Sequence, residues 1–105
     1  MASGEIPVTK VYEDDQLFAI NDINPRAPTH VLLISKEHIP SARELTAEHG
    51  ALMARMFETA AAVAWQAGVA DRGYRLVLNV GEEGGQSIYH LHVHLLGGRQ
   101  MGAEG

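Results

Sequence analysis

One short stretch of this 105-residue chain carries its strongest signal: His90-Leu91-His92-Val93-His94-Leu95-Leu96. Three of the six histidines of the chain lie in it, and they alternate with large aliphatic residues. An alternation with a period of two is typical of a β-strand, whose successive side chains point to opposite faces. We therefore expect the three imidazoles to share one face of a strand and the aliphatic side chains to be buried on the other.

Further strands are predicted on both sides of a long helix. Residues 8–13 and 17–20 should form a hairpin around the turn at Asp14-Asp15. The apolar run 31–34 is typical of a buried central strand, and residues 74–80 and 88–96 alternate as strands do.

The helix is expected over residues 46–67. Thr46 can serve as its N-cap, apolar residues recur along it at helical spacing, and Gly68 stands where helices commonly end. The Gly-rich loop 81–87 is too short for a crossover, so the last two strands should pair antiparallel. The predicted fold class is α+β: an antiparallel sheet of about five strands with one long helix on one face.

Composition narrows the class of protein. Hydrophobic residues make up 46% and charged residues 20% of the chain, as in ordinary soluble domains. The formal net charge of −5 argues against nucleic-acid binding, and the lack of cysteine excludes disulfides and Cys-based zinc sites. No stretch is long and apolar enough to span a membrane, and the amino terminus has no apolar signal region. A single cytoplasmic domain is therefore expected.

A row of three histidines is compatible with three kinds of site. A shared metal is disfavoured, since a rise of roughly 3.4 Å per residue separates the Cα atoms of His90 and His94 by about 13–14 Å. Two of the histidines together with His30 remain able to hold a metal ion. A purely structural role is the interpretation we prefer for His38 and His49, whose surroundings are polar.

The third kind of site is a nucleophilic one. A neutral imidazole can attack phosphorus directly, and His92 is the only member of the row with a histidine on each side. The preceding Gly84-Gly85-Gln86-Ser87 segment can present backbone N–H groups to an anion, with the Ser87 hydroxyl and the Asn79 amide nearby. This combination favours phosphorus chemistry.

In this segment the chain resembles a known family, the HIT (histidine triad) superfamily, and in particular its Hint branch. The upstream run 22–30 and residues 73–76 leading into Asn79 also match the pattern of that branch. The strongest resemblance lies in the following run: Gly84-Gly85-Gln86-Ser87-Ile88-Tyr89-His90-Leu91-His92-Val93-His94-Leu95-Leu96-Gly97-Gly98-Arg99. It implies a HIT-like fold and a single HIT domain over residues 1–105.

The resemblance also implies an activity, that of a homodimeric purine nucleoside phosphoramidase. Such an enzyme hydrolyses adenosine or guanosine 5′-phosphoramidates through a covalent nucleotidyl-histidine, without a metal or cofactor. His92 would be the nucleophile, His90 and His94 would hold the phosphate and orient it, and His30 would assist proton movement.

Further positions follow from the same resemblance. Asp22 would take the ribose hydroxyls, Ile23 would lie against the base, and Asn79 and Ser87 would contact the phosphate or the leaving group. The residues expected to be catalytic are His92, His94, His90, His30 and Ser87. The residues expected to bind the nucleotide are Asp22, Ile23, Asn79, Gly85, Gln86, Ser87, His92 and His94. Two alternatives stay open: a dinucleoside polyphosphate hydrolase, and a nucleotide-binding regulatory module with residual catalysis.

Overall fold

Five strands and one helix make up the computed structural model, which describes residues 10–104. The sheet has the order β1-β2-β3-β5-β4, and each neighbouring pair is antiparallel. The α+β prediction is therefore confirmed, as are the first hairpin and the pairing of the last two strands. The elements are β1 (Lys10–Glu13), β2 (Leu17–Asn21), β3 (Thr29–Ser35), α1 (Gly50–Gln66), β4 (Tyr74–Val77) and β5 (His92–Gly97).

The two faces of the sheet have different characters. One face packs against α1 and forms the main core, in which Leu33 and Leu95 are completely buried. The opposite face carries a smaller apolar cluster of Phe18, Ile20, Leu32 and Ile34. Because side chains alternate along a strand, this second face of β3 and β5 also carries His30, His92 and His94. The burial of Leu91, Val93 and Leu95 thus holds a row of imidazoles in place.

The helix begins with a short 3-10 turn. The Thr46 hydroxyl accepts a hydrogen bond from the N–H of Glu48, and Nδ1 of His49 accepts one from the N–H of Thr46. This capping box satisfies backbone donors that the first turn leaves unpaired. The turn Ala47–His49 then leads into α1, and Gly68 follows the helix with a φ of +78°. Thr46 therefore caps the 3-10 turn and not α1, which begins at Gly50, later than the predicted start at residue 46. The predicted stop at Gly68 is confirmed, and His49 has the structural role expected of it.

Two strands are shorter than the sequence suggests. β5 begins at His92, four residues later than expected, and β4 ends at Val77 instead of residue 80. For β5 the physical reason is the length of its partner strand: β3 ends at Ser35, and its last pairing with β5 joins Ile34 to His92. The predicted start of β1 at residue 8 lies outside the described residues. Within the range that is described, no helix is long and apolar enough to cross a membrane.

A polar network fastens the first hairpin to the helix. The Asp14 carboxylate accepts hydrogen bonds from the Tyr12 hydroxyl (2.8 Å) and from Nε of Arg55 on α1 (3.1 Å). It also accepts the N–H groups of Gln16 and Leu17. Burial alone would raise the pKa of Asp14, but these hydrogen bonds and the Arg55 charge outweigh it and lower that pKa to about 2. The network therefore stabilises the ionised carboxylate.

We predict that Arg55→Met destabilises the protein by about 1–2 kcal/mol, because it leaves the Asp14 carboxylate without its cationic donor. The methionine keeps most of the aliphatic length, so packing changes little. Lys10→Met is the matched control, since Lys10 pairs with Glu13 in an exposed ion pair and such pairs contribute roughly 0–1 kcal/mol. Urea denaturation at pH 7 measures both. An equal loss of unfolding free energy in the two variants would contradict the stabilising role of Arg55.

Candidate active site

The polar face of the sheet borders a cavity of about 530 Å³. This is within the size range of small-molecule sites in proteins. One wall comes from the loop after β2, another from the Gly-rich loop, and the floor from β3, β4 and β5. The lining residues are Asp22, Ile23, Asn24, Arg26, His30, Leu32, Val77, Asn79, Gly85, Gln86, Ser87, Ile88, His92, His94 and Leu96.

The ring of His92 has a fixed orientation. Its Nδ1 lies 2.7 Å from the carbonyl oxygen of His90, and because a carbonyl only accepts, Nδ1 carries the ring proton. In the neutral ring, Nε2 then has a free lone pair. His92 lines the cavity, and its ring centroid lies 5.1 Å from that of His94. The backbone thus prepares a nucleophilic nitrogen at the site.

His94 is held by a second chain of hydrogen bonds. The N–H of Arg26 donates to Nδ1 of His30 (3.1 Å), so the proton of neutral His30 is on Nε2. That Nε2 lies 3.0 Å from Nδ1 of His94 and donates to it. The ring proton of His94 is therefore on its own Nε2. In contrast to His92, His94 is set up as a hydrogen-bond donor.

The rings of His30 and His94 are both neutral near pH 7. Burial lowers the pKa of His30. Burial, followed by the neighbouring His92 and His30, lowers the pKa of His94 to about 4. Neutral rings preserve the donor and acceptor pattern, since a second proton on His94 would remove the acceptor that His30 needs.

His90 differs from its expected role as a phosphate contact. Its ring does not line the cavity: Nε2 donates to the carbonyl of Ser35 (2.5 Å), and Nδ1 lies 3.2 Å from Nδ1 of His38. The rings of His90 and His38 meet edge to face, 5.1 Å apart. His90 reaches the site through its backbone carbonyl, which orients His92. His38, for which the sequence predicts a structural role, is its partner because the chain bends back after β3.

The Gly-rich loop also differs from expectation. The N–H of Gly85 bonds to the carbonyl of Glu82, and the N–H of Gln86 bonds to the carbonyl of Gly81. These two groups are therefore not available to a bound anion. The Gln86 side chain is buried and fully engaged: it accepts from the N–H of Gly81 and donates to the carbonyls of Pro40 and Ile88. Gly85 and Gln86 shape the cavity wall instead of offering N–H donors.

The other predicted positions meet around the histidines. Ser87, Asn79 and Ile23 line the cavity, and the Ile23 side chain is 78% exposed, which leaves a large apolar surface open to a ligand. Asp22 also lines it, although one carboxylate oxygen already accepts the N–H of Asn24 (2.9 Å) and the other lies 3.4 Å from Nε2 of His30. Asp22 thus caps a turn and also lines the cavity.

Sequence reasoning missed several residues of the lining. Leu32 and Leu96 follow from strand alternation, because they lie two positions from His30 and His94. Arg26 gave no pattern of its own, since a lone basic residue in a loop is usually a solvated side chain. Its place at the cavity depends on how the loop 22–28 folds.

The fold and this histidine arrangement define the class to which the chain belongs. The family model described as "HIT domain" matches residues 3–101. The chain belongs to the HIT family.

Individual relatives cover nearly its whole length. It is 49% identical over 98 residues, or 93% of this chain and 82% of the relative, to "Purine nucleoside phosphoramidase" of Escherichia coli strain K12. It is 48% identical over 101 residues, 94% of this chain and 88% of the relative, to a "14 kDa zinc-binding protein" of Brassica juncea. A crystal structure of a HIT family hydrolase from Legionella pneumophila superposes with a TM-score of 0.94 at 46% identity, covering 99% of this chain and 93% of that one.

Zinc does not fit the donors of this chain in their present arrangement. Asp22, His30 and His94 do offer ligand atoms within 4.8 Å of one another. However, Nδ1 of His30 accepts the N–H of Arg26, so the ring proton occupies Nε2, the atom that would have to bind the ion. The same Nε2 is hydrogen-bonded to His94. His30 and His94 are joined by a hydrogen bond, and Asp22 lies beside them with one carboxylate oxygen 3.4 Å from Nε2 of His30. The neutral His30 ring therefore offers no free lone pair to a metal ion.

We predict that lowering the pH from about 6.5 to 4 destabilises the protein in part through His94. The pKa of the ring is lowered from 6.5 to about 4 by folding, so in this window the unfolded chain binds more protons than the folded one. The free energy of unfolding therefore decreases as the pH is lowered. Urea denaturation across this range should show that the free energy of unfolding depends less steeply on pH in His94→Gln than in the parent. A pH dependence in His94→Gln equal to that of the parent would refute this role of His94.

Proposed function

We propose that this protein is a purine nucleoside phosphoramidase that works through a covalent nucleotidyl-His92. The observation that carries the proposal is the His92 ring, whose Nδ1–H is held by the His90 carbonyl while Nε2 keeps its lone pair at the cavity. The likeness to the Escherichia coli phosphoramidase, at 49% identity over 93% of this chain, supports the same activity. Purine nucleotide conjugates are accordingly the proposed substrates.

The reaction proceeds in two displacements at phosphorus. In the first, Nε2 of His92 bonds to phosphorus while the bond from phosphorus to the amine nitrogen breaks, and the departing nitrogen gains a proton from solvent. In the second, water attacks phosphorus, the bond to His92 breaks, and the proton that water loses returns to solvent. The net change consumes one water and yields a nucleoside 5′-monophosphate and an amine. Splitting one displacement into two is the advantage of a covalent intermediate.

The neighbouring side chains have complementary roles in this proposal. His94 donates its Nε2–H to a phosphate oxygen, and His30 keeps His94 in the tautomer that can do so. The amide of Asn79 and the hydroxyl of Ser87 contact the phosphate or the leaving amine. Asp22 accepts from the ribose hydroxyls, and Ile23 packs against the base. Hydrogen-bond donors that are already oriented stabilise the developing charge without reorganisation.

We also propose that the active protein is a homodimer. Phe57, Ala61 and Trp65 follow one another along α1 at intervals of four residues, on the side that faces away from the sheet. Phe57 is 47% and Trp65 75% exposed. A row of exposed aromatic side chains is a frequent mark of a protein interface. Strand β4, at the edge of the sheet, supplies a second open surface. The cytoplasmic location and the single-domain organisation stay predictions.

We predict that His92→Ala lowers the turnover of an adenosine 5′-phosphoramidate by roughly a thousandfold or more, because the attacking nitrogen is removed. Intact-mass measurement of the parent, denatured at neutral pH to protect the P–N bond, should reveal one added nucleotidyl group that is absent from the variant. His49→Ala is the matched control, with parent turnover. Parent-like turnover by His92→Ala, or faster parent cleavage of a dinucleoside polyphosphate than of the phosphoramidate, would refute the proposal.

We predict that Trp65→Glu converts a dimeric parent into a monomer, because a buried carboxylate without a partner is costly. Light scattering coupled to size-exclusion chromatography measures the mass of each species. Gln16→Glu introduces the same charge change on the exposed turn between β1 and β2 and should leave the dimer intact. A parent that is monomeric, or a Trp65→Glu variant that stays dimeric, would contradict the proposed interface.

A further inference from the structure

The cavity has an unusual charge balance for a site that would bind a phosphate. His30 and His94 are neutral, since burial lowers the pKa of each ring. Asp22 contributes a carboxylate, which repels an anion. Two N–H groups of the Gly-rich loop are used within the loop itself. An anion that leaves water for such a site needs a compensating positive charge, because an unpaired buried charge is costly.

One side chain can supply that charge. Over residues 10–104, Arg26 is the only arginine or lysine that lines the cavity. None of the ion pairs found among the described residues includes its guanidinium. The guanidinium is nevertheless close enough to the site for its charge to disfavour protonation of both His30 and His94.

The backbone of Arg26 is fixed independently of its side chain. Its N–H donates to Nδ1 of His30 (3.1 Å), and its carbonyl accepts a hydrogen bond from Nε of Arg99 (3.0 Å). The base of the side chain is therefore anchored next to the histidine pair. A substitution at this position changes the charge without removing the N–H that sets the His30 tautomer. This separation makes the role of the charge testable.

We propose that the Arg26 guanidinium binds the phosphate oxygens of the substrate and is the cationic determinant of nucleotide affinity in this protein. The inference rests on the proposed function for the identity of the ligand, a nucleoside 5′-phosphoryl group. A guanidinium matches a phosphate with two parallel N–H donors, and such charge-assisted bonds are among the strongest hydrogen bonds in proteins. Arg26 and the Nε2–H of His94 thus approach the same anion, one as a charge and the other as a neutral donor.

The test is a comparison of nucleotide with nucleoside. Isothermal titration calorimetry gives the Kd of guanosine 5′-monophosphate and of guanosine for the parent, Arg26→Gln, Arg26→Lys and Arg72→Gln. We expect Arg26→Gln to weaken monophosphate binding about tenfold, which corresponds to roughly 1.4 kcal/mol, and to leave guanosine binding unchanged. Arg26→Lys should recover part of the affinity. Arg72→Gln removes the same charge from an exposed residue outside the cavity and should bind as the parent does.

Salt provides a second measurement. Raising the NaCl concentration screens the guanidinium, so monophosphate affinity should fall more steeply in the parent than in Arg26→Gln. The proposal is overturned if guanosine and its monophosphate lose affinity equally, if neither does, or if Arg72→Gln has the same effect. The proposal is also overturned if Arg26→Gln loses affinity only for phosphoramidates whose leaving amine carries a carboxylate.

These outcomes are separate from those of the proposed function. Hydrolysis of an adenosine phosphoramidate by the parent tests the activity, whereas the difference between nucleotide and nucleoside tests Arg26. A parent that hydrolyses the phosphoramidate while Arg26→Gln binds the monophosphate unchanged refutes only the role of Arg26. A parent that does not hydrolyse it but binds the monophosphate through Arg26 refutes only the phosphoramidase.

Discussion

The antiparallel register between β3 and β5 is the constraint on which the rest of the site depends. It pairs Leu32 with His94 and Ile34 with His92, and so places His30 diagonally beside His94 on one face. A slip of one residue would turn Val93 towards the cavity and both histidines towards α1. That slip is prevented by the main core, where Leu33, Val93 and Leu95 are almost completely buried. The apolar face of the sheet therefore determines the chemistry of the opposite face.

Two backbone groups decide where the protons of three imidazoles lie. The carbonyl of His90 places a proton on Nδ1 of His92, while the N–H of Arg26 leaves Nδ1 of His30 without one and, through His30, fixes His94. A ring with an unprotonated Nε2 and a ring with an Nε2–H donor thus arise from identical side chains two residues apart. The difference lies in the partner of each Nδ1, which is the His90 carbonyl for His92 and the His30 side chain for His94. Neutral rings maintain it, since protonation would erase the distinction between the two nitrogens.

The fold was largely predictable, because alternation at residues 91–95 and helical spacing after Thr46 are local consequences of burial. The limits of the strands were not, since β5 can extend only as far as β3 offers a partner. The contact between His38 and His90, 52 residues apart, depends on the bend after β3 and has no local signature. The same applies to the loop N–H groups, because the sequence does not reveal that Gly81 and Glu82 accept them. Arg26 shows that a side chain with no motif can still be placed at a site by loop geometry.

Trp65 is the single tryptophan of the chain, and its side chain is three-quarters exposed on the outer side of α1. The cavity lies beyond the opposite face of the sheet, with the main core between them. The intrinsic fluorescence of this protein is therefore a built-in probe of whatever covers the helix. It should respond to association of the chains and remain almost unaffected by occupancy of the histidine site, so one optical signal separates assembly from ligand binding.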